Sequence, residues 1–325
     1  MIQLTSTFVS RSLVPTISPR LRLRPRSVVP MTICMNQSRM EKVVVIMGAT
    51  GTGKSRLSVD LATRFSGEII NSDKMQFYDG LEITTNQISI SERCGVPHHL
   101  LGELPHDDDE LTASKFKSLA SQDISEIVSR GKLPIIAGGS NTFIHALLVD
   151  RFEPETHPFS DKGSISSDLR YDCCFLWVDV SVPVLFHHLS KRVDQMMESG
   201  MLEELAGFYN PRNSGSKTKT GIHKAIGVPE FDRYFEVYPP GKNEKMSEWD
   251  PVRKAAYEEA VKEIKENTWL LAKKQIDRII KLRSSGWEIH RLDATASFGK
   301  SSREVWDKTV LDESIKIVKR FLLTD

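Results

Sequence analysis

Cysteine is scarce in this sequence: four in 325 residues, Cys34, Cys94, Cys173 and Cys174, with no C-x-x-C spacing and no paired histidine framework. That argues against a disulfide scaffold and a structural zinc site, and leaves reduced thiols as the expectation. Long apolar runs are missing as well. No stretch approaches the roughly 20 residues that a membrane-spanning helix needs, so no membrane association is expected. Acidic side chains and lysine are absent from the first forty residues, which hold Arg11, Arg20, Arg22, Arg24, Arg26 and Arg39 among many Ser and Thr. Pro15, Pro19 and the arginines break any early apolar run of the kind a secretory signal requires. Residues 1–40 therefore read as a disordered organelle transit peptide, plastid or mitochondrial; a basic tail without targeting function is the alternative.

The remainder is ordinary for a globular protein, with 39% hydrophobic and 27% charged residues overall. Its length predicts one large core carrying a smaller subdomain. Setting aside the six leader arginines leaves 38 basic against 43 acidic residues, a net charge of about −5. A mildly acidic body disfavours a large nucleic-acid partner, which calls for a basic surface.

From Val43 the pattern is strand, glycine loop, helix: Val43-Val44-Val45-Ile46-Met47, then GATGTGKS, then RLSVDLATRF with Leu57, Leu61 and Phe65 at helical spacing. Glu68–Asn71, Leu133–Ala137 and Cys173–Val180 are further candidate parallel strands with helices between them. The fold class is α/β: a P-loop NTPase-like parallel sheet flanked by helices, with a smaller helical subdomain. Residues 41–181 form the first part of the core, 182–285 a mainly helical substrate subdomain, and 286–325 a last strand and a single closing helix. Residues 154–167 read as a loop. Gly200 reads as the C-cap of the helix over 184–200, and 210–221 and 238–246 as mobile connections.

G-x-x-x-x-G-K-S between a strand and a helix is a specific anion signal. Gly48, Thr50, Gly51, Thr52 and Gly53 supply a backbone cradle, Lys54 a cation, Ser55 a hydroxyl for Mg²⁺, and the helix its positive end. The motif leaves the phosphate compound open. A kinase would also place a Mg²⁺-holding Asp at a strand end. Asp179 is one candidate, read here as a strand-end residue, while LPIIAGGSN ends in glycines. Asp73 follows the second strand, in the crevice where α/β sheets bind ligands, and suits a general base; a turn or N-cap role is the alternative.

GATGTGKS, NSDKMQFYDGLEITTN, GVPHHLLGE, AGGSNTFIHALL, RVDQMMESGMLEEL, GIHKAIGVPEF and NTWLLAKKQIDRI occur in the order found in the isopentenyltransferases. From about Lys42 to the C-terminus the chain resembles that family, most closely its plant adenylate branch, which makes cytokinin precursors; tRNA dimethylallyltransferases share most of these motifs. The resemblance implies that the loop holds the diphosphate of dimethylallyl diphosphate, a leaving group, with Thr50 near its bridging oxygen. It implies that Asp73 takes the proton of adenine N6, and that Lys224 and Lys274 meet phosphates, Lys274 those of the donor. Gln275 is adjacent and Arg192 a weaker candidate. Thr85, Asn86, Gly139 and Ser140 suit the acceptor nucleotide, with turn roles as the alternative. The implied acceptor is ATP or ADP, with AMP open, in a monomeric plastid enzyme using Mg²⁺. A tRNA adenosine is the alternative acceptor, disfavoured by the charge and by the lack of a Cys/His finger. A P-loop small-molecule kinase is a more remote reading. His98 and His99 read as core residues, and the contact of His223 is left open.

Overall fold

A computed structural model describes residues 40–106, 110–160, 163–210, 220–241, 249–298 and 302–324. The expected leader, and most of both expected mobile connections, lie outside these residues. Strand β1 (Lys42–Gly48) runs through the middle of a six-stranded sheet, between β4 (Leu133–Ala137) and β5 (Asp172–Asp179). Beyond β4 come β2 (Gly67–Asn71) and β3 (His98–His99); beyond β5 comes β6 (Ile289–Asp293). The order is β3-β2-β4-β1-β5-β6 and every pairing is parallel. Strands covered on both faces must be apolar throughout rather than alternating, which is why these segments read as unbroken hydrophobic runs.

The pleat divides β1 between two cores. Val43, Val45 and Met47 face Phe77, Phe116 and Phe143, while Val44 and Ile46 face Leu57 and Leu61 of α1 (Lys54–Phe65). The first face is covered by α2 (Ala113–Ser129) and α3 (Asn141–Leu148), together with α5 (Met201–Phe208), α6 (Val228–Val237) and the 34-residue α7 (Pro251–Ser284). Asp250 caps α7 by accepting from the N–H groups of Val252 and Arg253, and Pro251 supplies a preset φ at its first position. At about 1.5 Å per residue α7 spans about 51 Å, long enough to run from the helical segment back under the sheet.

Three expectations change. The histidine pair forms edge strand β3 rather than core, too short to show a period. Gly200 (φ +101°) follows Ser199, the C-cap of α4 (Val182–Glu198), and is the N-cap of α5. The closing helix is divided into α8 (Ser302–Trp306), a π turn over 307–311 and α9 (Asp312–Leu323). There the hydroxyls of Thr309 and Ser314 donate to carbonyls four residues back, competing with the helical ladder.

His145 on α3 is buried between Phe159 and Trp287, stacked on the latter at 6.1 Å, and neither ring nitrogen has a partner. Burial lowers its pKa to about 4. An unfolded histidine titrates near 6.5, so between those values the unfolded chain holds the extra proton and stability falls with falling pH. Over that window His145 accounts for up to roughly 3 kcal/mol at about 1.4 kcal/mol per pH unit. In urea unfolding, His145→Leu should match or exceed the native protein at pH 5 while differing little at pH 7.5; a variant whose deficit grows on acidification would contradict this.

Candidate functional site

The glycine loop closes over its own carbonyls. Thr52 Oγ1 donates to Ala49 O at 2.9 Å and Lys54 Nζ to the same oxygen at 2.8 Å. Gly53 sits at φ +96°, a conformation that only glycine adopts cheaply, and is the N-cap of α1. Thr50, Gly51, Gly53, Lys54 and Ser55 line a chamber of about 260 Å³, whereas Gly48 and Thr52 lie beneath it and shape the loop. Ser55 is exposed and its hydroxyl is uncommitted, so it could join a Mg²⁺ ion that keeps waters and substrate oxygens as its other ligands. Among the described residues no cluster of three His, Cys, Asp or Glu could hold a metal by itself. The ion therefore fits only as a partner of a bound diphosphate.

A second chamber of about 580 Å³ opens on the α7 side. Four residues line both chambers: Thr50, Asp73, Thr85 and Arg192. Asp73 follows β2 and caps the short 3-10 turn Lys74–Phe77, its Oδ1 accepting from Met75 N at 3.2 Å. The cap uses Oδ1, while Oδ2 lies 3.6 Å from where a Cβ on Gly139 would stand. Burial raises the pKa of Asp73, and Lys54 opposes that rise most strongly, with Arg192 adding to it. Burial in turn lowers Lys54 to about 8. Asp73 is the only acid lining the smaller chamber among the described residues. Asp179 is elsewhere, accepting from Arg291 Nε at 2.7 Å.

Arg192, a weak candidate by sequence, is central in space. Its Nη2 donates to Thr50 Oγ1 at 2.9 Å and its Nε is buried without a partner. Four residues earlier on α4, His188 lines the same chamber, its pKa lowered by burial and then by Arg192. Gln275 was noted only as a neighbour of Lys274, yet it makes the closure. Its Oε1 accepts from Thr50 N at 2.7 Å, its Nε2 donates to Gly139 O at 3.1 Å, and its own carbonyl accepts from Asn141 Nδ2 at 3.1 Å. A Cβ on Gly139 would stand 2.2 Å from Gln275 Nε2, so only glycine fits there.

Lys274 and Asn86 line different chambers from the residues with which they were grouped. Lys274, expected at the donor diphosphate, lines the larger chamber: adjacent helical residues diverge by about 100°, and Gln275 takes the direction of the loop. Asn86, expected at the acceptor, lines the smaller one, in a left-handed turn (φ +52°) whose carbonyl accepts from Gln76 Nε2. Thr85 stands at the junction, its hydroxyl donating to Leu81 O. Gly139 and Ser140 line the larger chamber, where Ser140 Oγ accepts from Lys74 N at 2.9 Å. Lys224 is there too, donating to Glu110, which also accepts from Lys74 at 2.5 Å. The Lys224 and Lys74 bonds hold the Glu110 carboxyl below its usual pKa. Sequence reasoning missed Glu110, which sits in an acidic run, and Arg278, one turn after Lys274. Arg278 lies over the Phe159 ring and 3.4 Å from His157, and among the described residues neither it nor Lys274 pairs with an acid. His98 lines the smaller chamber with Nδ1 2.9 Å from Val96 O, burial lowering its pKa. His99 is tied to Glu68, and His223 packs on Phe208 outside both chambers.

Replacing Gln275 by Leu leaves the N–H of Thr50 and the carbonyl of Gly139 without partners, at about 1–3 kcal/mol for each buried group. Urea unfolding should show a loss of roughly 2–4 kcal/mol; a loss below 1 kcal/mol would mean that the loop and α7 are held by other contacts.

The IPP transferase family model matches residues 76–164 and 152–279. The chain is 76% identical to Adenylate isopentenyltransferase 8, chloroplastic, of Arabidopsis thaliana over 100% of its length and 99% of that protein's. It is 61% identical to Adenylate isopentenyltransferase 1, chloroplastic, of the same plant, over 89% of this chain and 83% of the relative. Other relatives from that plant are named chloroplastic or mitochondrial. Among solved structures it resembles a eukaryotic dimethylallyltransferase acting on tRNA, with TM-score 0.69 and 26% identity over 87% of this chain and 79% of that one.

Proposed function

This chain belongs to the isopentenyltransferases, in their adenylate branch, and from that premise we propose that it transfers the dimethylallyl group of dimethylallyl diphosphate to adenine N6 of ATP or ADP, with AMP open as a further acceptor. The observation that carries the reading is the meeting of two chambers at one carboxylate: the loop lines one, the cationic face of α7 the other, and Asp73, Thr50 and Arg192 stand between.

The chemistry follows from placement. The C1–O bond of the donor breaks as N6 bonds to C1, so negative charge grows on the departing diphosphate. Lys54, the Arg192 guanidinium and the start of α1 are fixed around that position before reaction, the condition under which electrostatic stabilisation is effective. Mg²⁺ bound through Ser55 and the diphosphate would add charge neutralisation. The adenine amine is a weak nucleophile, and Asp73 Oδ2 takes its proton as the C–N bond forms. Lys274 and Arg278, which have no acidic partner among the described residues, suit the acceptor's phosphates. The acid-free leader and the chloroplastic names of relatives support plastid import, with the mitochondrion as the alternative.

The test offers ATP, ADP, AMP and unmodified tRNA in parallel, with Mg²⁺ and dimethylallyl diphosphate, and reads N6-prenylated product by mass. Prenylated ATP or ADP is expected; product on tRNA alone would overturn the acceptor, and no product on any would sink the reading. Asp73→Asn keeps an oxygen to cap the 3-10 turn, so kcat should fall by about 10²–10⁴ with little change in Tm. The kcat/KM profile should have an acid limb above the ordinary carboxylate range, because the base must be ionised, and an alkaline limb near pH 8, as Lys54 loses its proton. In kcat that alkaline limb should move upward, since bound diphosphate holds the Lys54 proton; a flat profile from pH 5 to 9 would refute both assignments.

A further inference from the structure

Trp306 lies outside the span matched by the family model and lines neither chamber. Its indole is 2% exposed and backs the glycine loop: a methyl group built on Gly53 would come within 2.6 Å of Cη2 and 2.8 Å of Cζ3. The ring is fixed by α1 itself. Nε1 donates to Asp60 Oδ2 at 3.3 Å, and the Arg56 guanidinium lies 4.7 Å over the ring. Trp306 is thus held against the residue that opens α1, while Lys54 and Ser55, which follow that residue, face the diphosphate chamber.

Glycine at positive φ is the least restrained point of such a loop, and donors that grip an anion must be held to within about 0.5 Å. We infer that Trp306 is a positioning residue for the transfer, holding Gly53 and the start of α1 in the register at which the loop grips the diphosphate of the prenyl donor. This rests on the function proposed above. Removing the ring frees the loop, and the ordering that it supplied must then come from diphosphate binding. The nucleotide chamber, walled by α3, α7 and the 3-10 turn after β2, is not touched by the ring.

Full-length native protein, Trp306→Leu and Trp306→Phe would be compared by steady-state kinetics in each substrate, by calorimetric titration with inorganic diphosphate and Mg²⁺, and by thermal unfolding. For Trp306→Leu, KM for dimethylallyl diphosphate and Kd for inorganic diphosphate should rise about tenfold, with the KM for ATP within about twofold. Trp306→Phe keeps an aromatic ring on the α1 face but loses the Nε1 bond and the outer ring atoms that meet Gly53, and should weaken diphosphate binding by about two- to fivefold, less than Trp306→Leu. If the Leu variant does not fold, the Phe variant decides. Unchanged diphosphate binding, or equal losses toward donor and nucleotide, would overturn the inference. Failure of the native protein to form prenylated nucleotide would instead strike the proposed function, since the diphosphate titration reads the Trp306 contact without turnover.

Discussion

The side-chain amide of Gln275 joins parts of the chain that are far apart in sequence: the N–H of Thr50 in the glycine loop, the carbonyl of Gly139 after β4, and, through its own backbone, Asn141 at the start of α3. A buried amide has few satisfactory arrangements, because each buried group left without a partner costs about 1–3 kcal/mol, more than a made bond contributes net. These bonds therefore select one depth and rotation for α7 against the sheet. That setting turns Gln275 to the loop, turns Lys274 and Arg278 into the larger chamber, and leaves Asp73 where the chambers meet. Without it the glycine loop would still bind an anion, but nothing would place an acceptor beside it.

The charges around that junction are balanced only in part. Lys54 and Arg192 stand near Asp73, yet all three are enclosed by protein, and enclosure pushes the lysine down and the aspartate up. Both shifts report charge that is poorly solvated in the ligand-free protein. An anion entering the smaller chamber would stabilise the two cations, and a hydrogen-bond donor would satisfy Asp73. In the larger chamber, Glu110 holds Lys74 and Lys224 in place, while Lys274 and Arg278 have no acidic partner among the described residues. The uncompensated positive charge thus lies along α7, on the side where an acceptor's phosphates would reach.

Much of the fold was legible because parallel strands covered on both faces leave unbroken apolar runs, and because the loop motif has fixed spacing. β3 was not legible, since two residues show no period. Nor was the π turn in the closing helix, where Thr309 and Ser314 donate to carbonyls four residues back, since the composition there is that of an ordinary helix. In the site, Asp73 and Lys54 could be named from motif and strand position. The sides taken by Lys274 and Asn86 could not, because one depends on the rotation of a long helix and the other on a left-handed turn. Arg192 looked ordinary because its importance comes from Thr50, 142 residues away in sequence. Glu110 was missed because an acid among neighbouring acids carries no motif that sets it apart.

A glycine loop of this kind specifies an anion and nothing more, so the reaction must be decided by what surrounds it. In a nucleotide kinase the transferred group is the phosphoryl itself, and acids near the loop hold the metal that manages its charge. Here β4 runs into Gly138, packed against Ser72 and Asp73, and Gly139, packed against Gln275, and the acid at the end of β5 is engaged by Arg291 on β6. Among the described residues Asp73 is the acid that lines both chambers, with Oδ1 fixed by the Met75 N–H and Oδ2 close to Gly139. A carboxylate so divided is poorly placed to chelate a metal through both oxygens and well placed to accept a single proton. The geometry therefore favours a reaction in which diphosphate departs and a proton is lost from the nucleophile, the combination that N-alkylation of an amine requires.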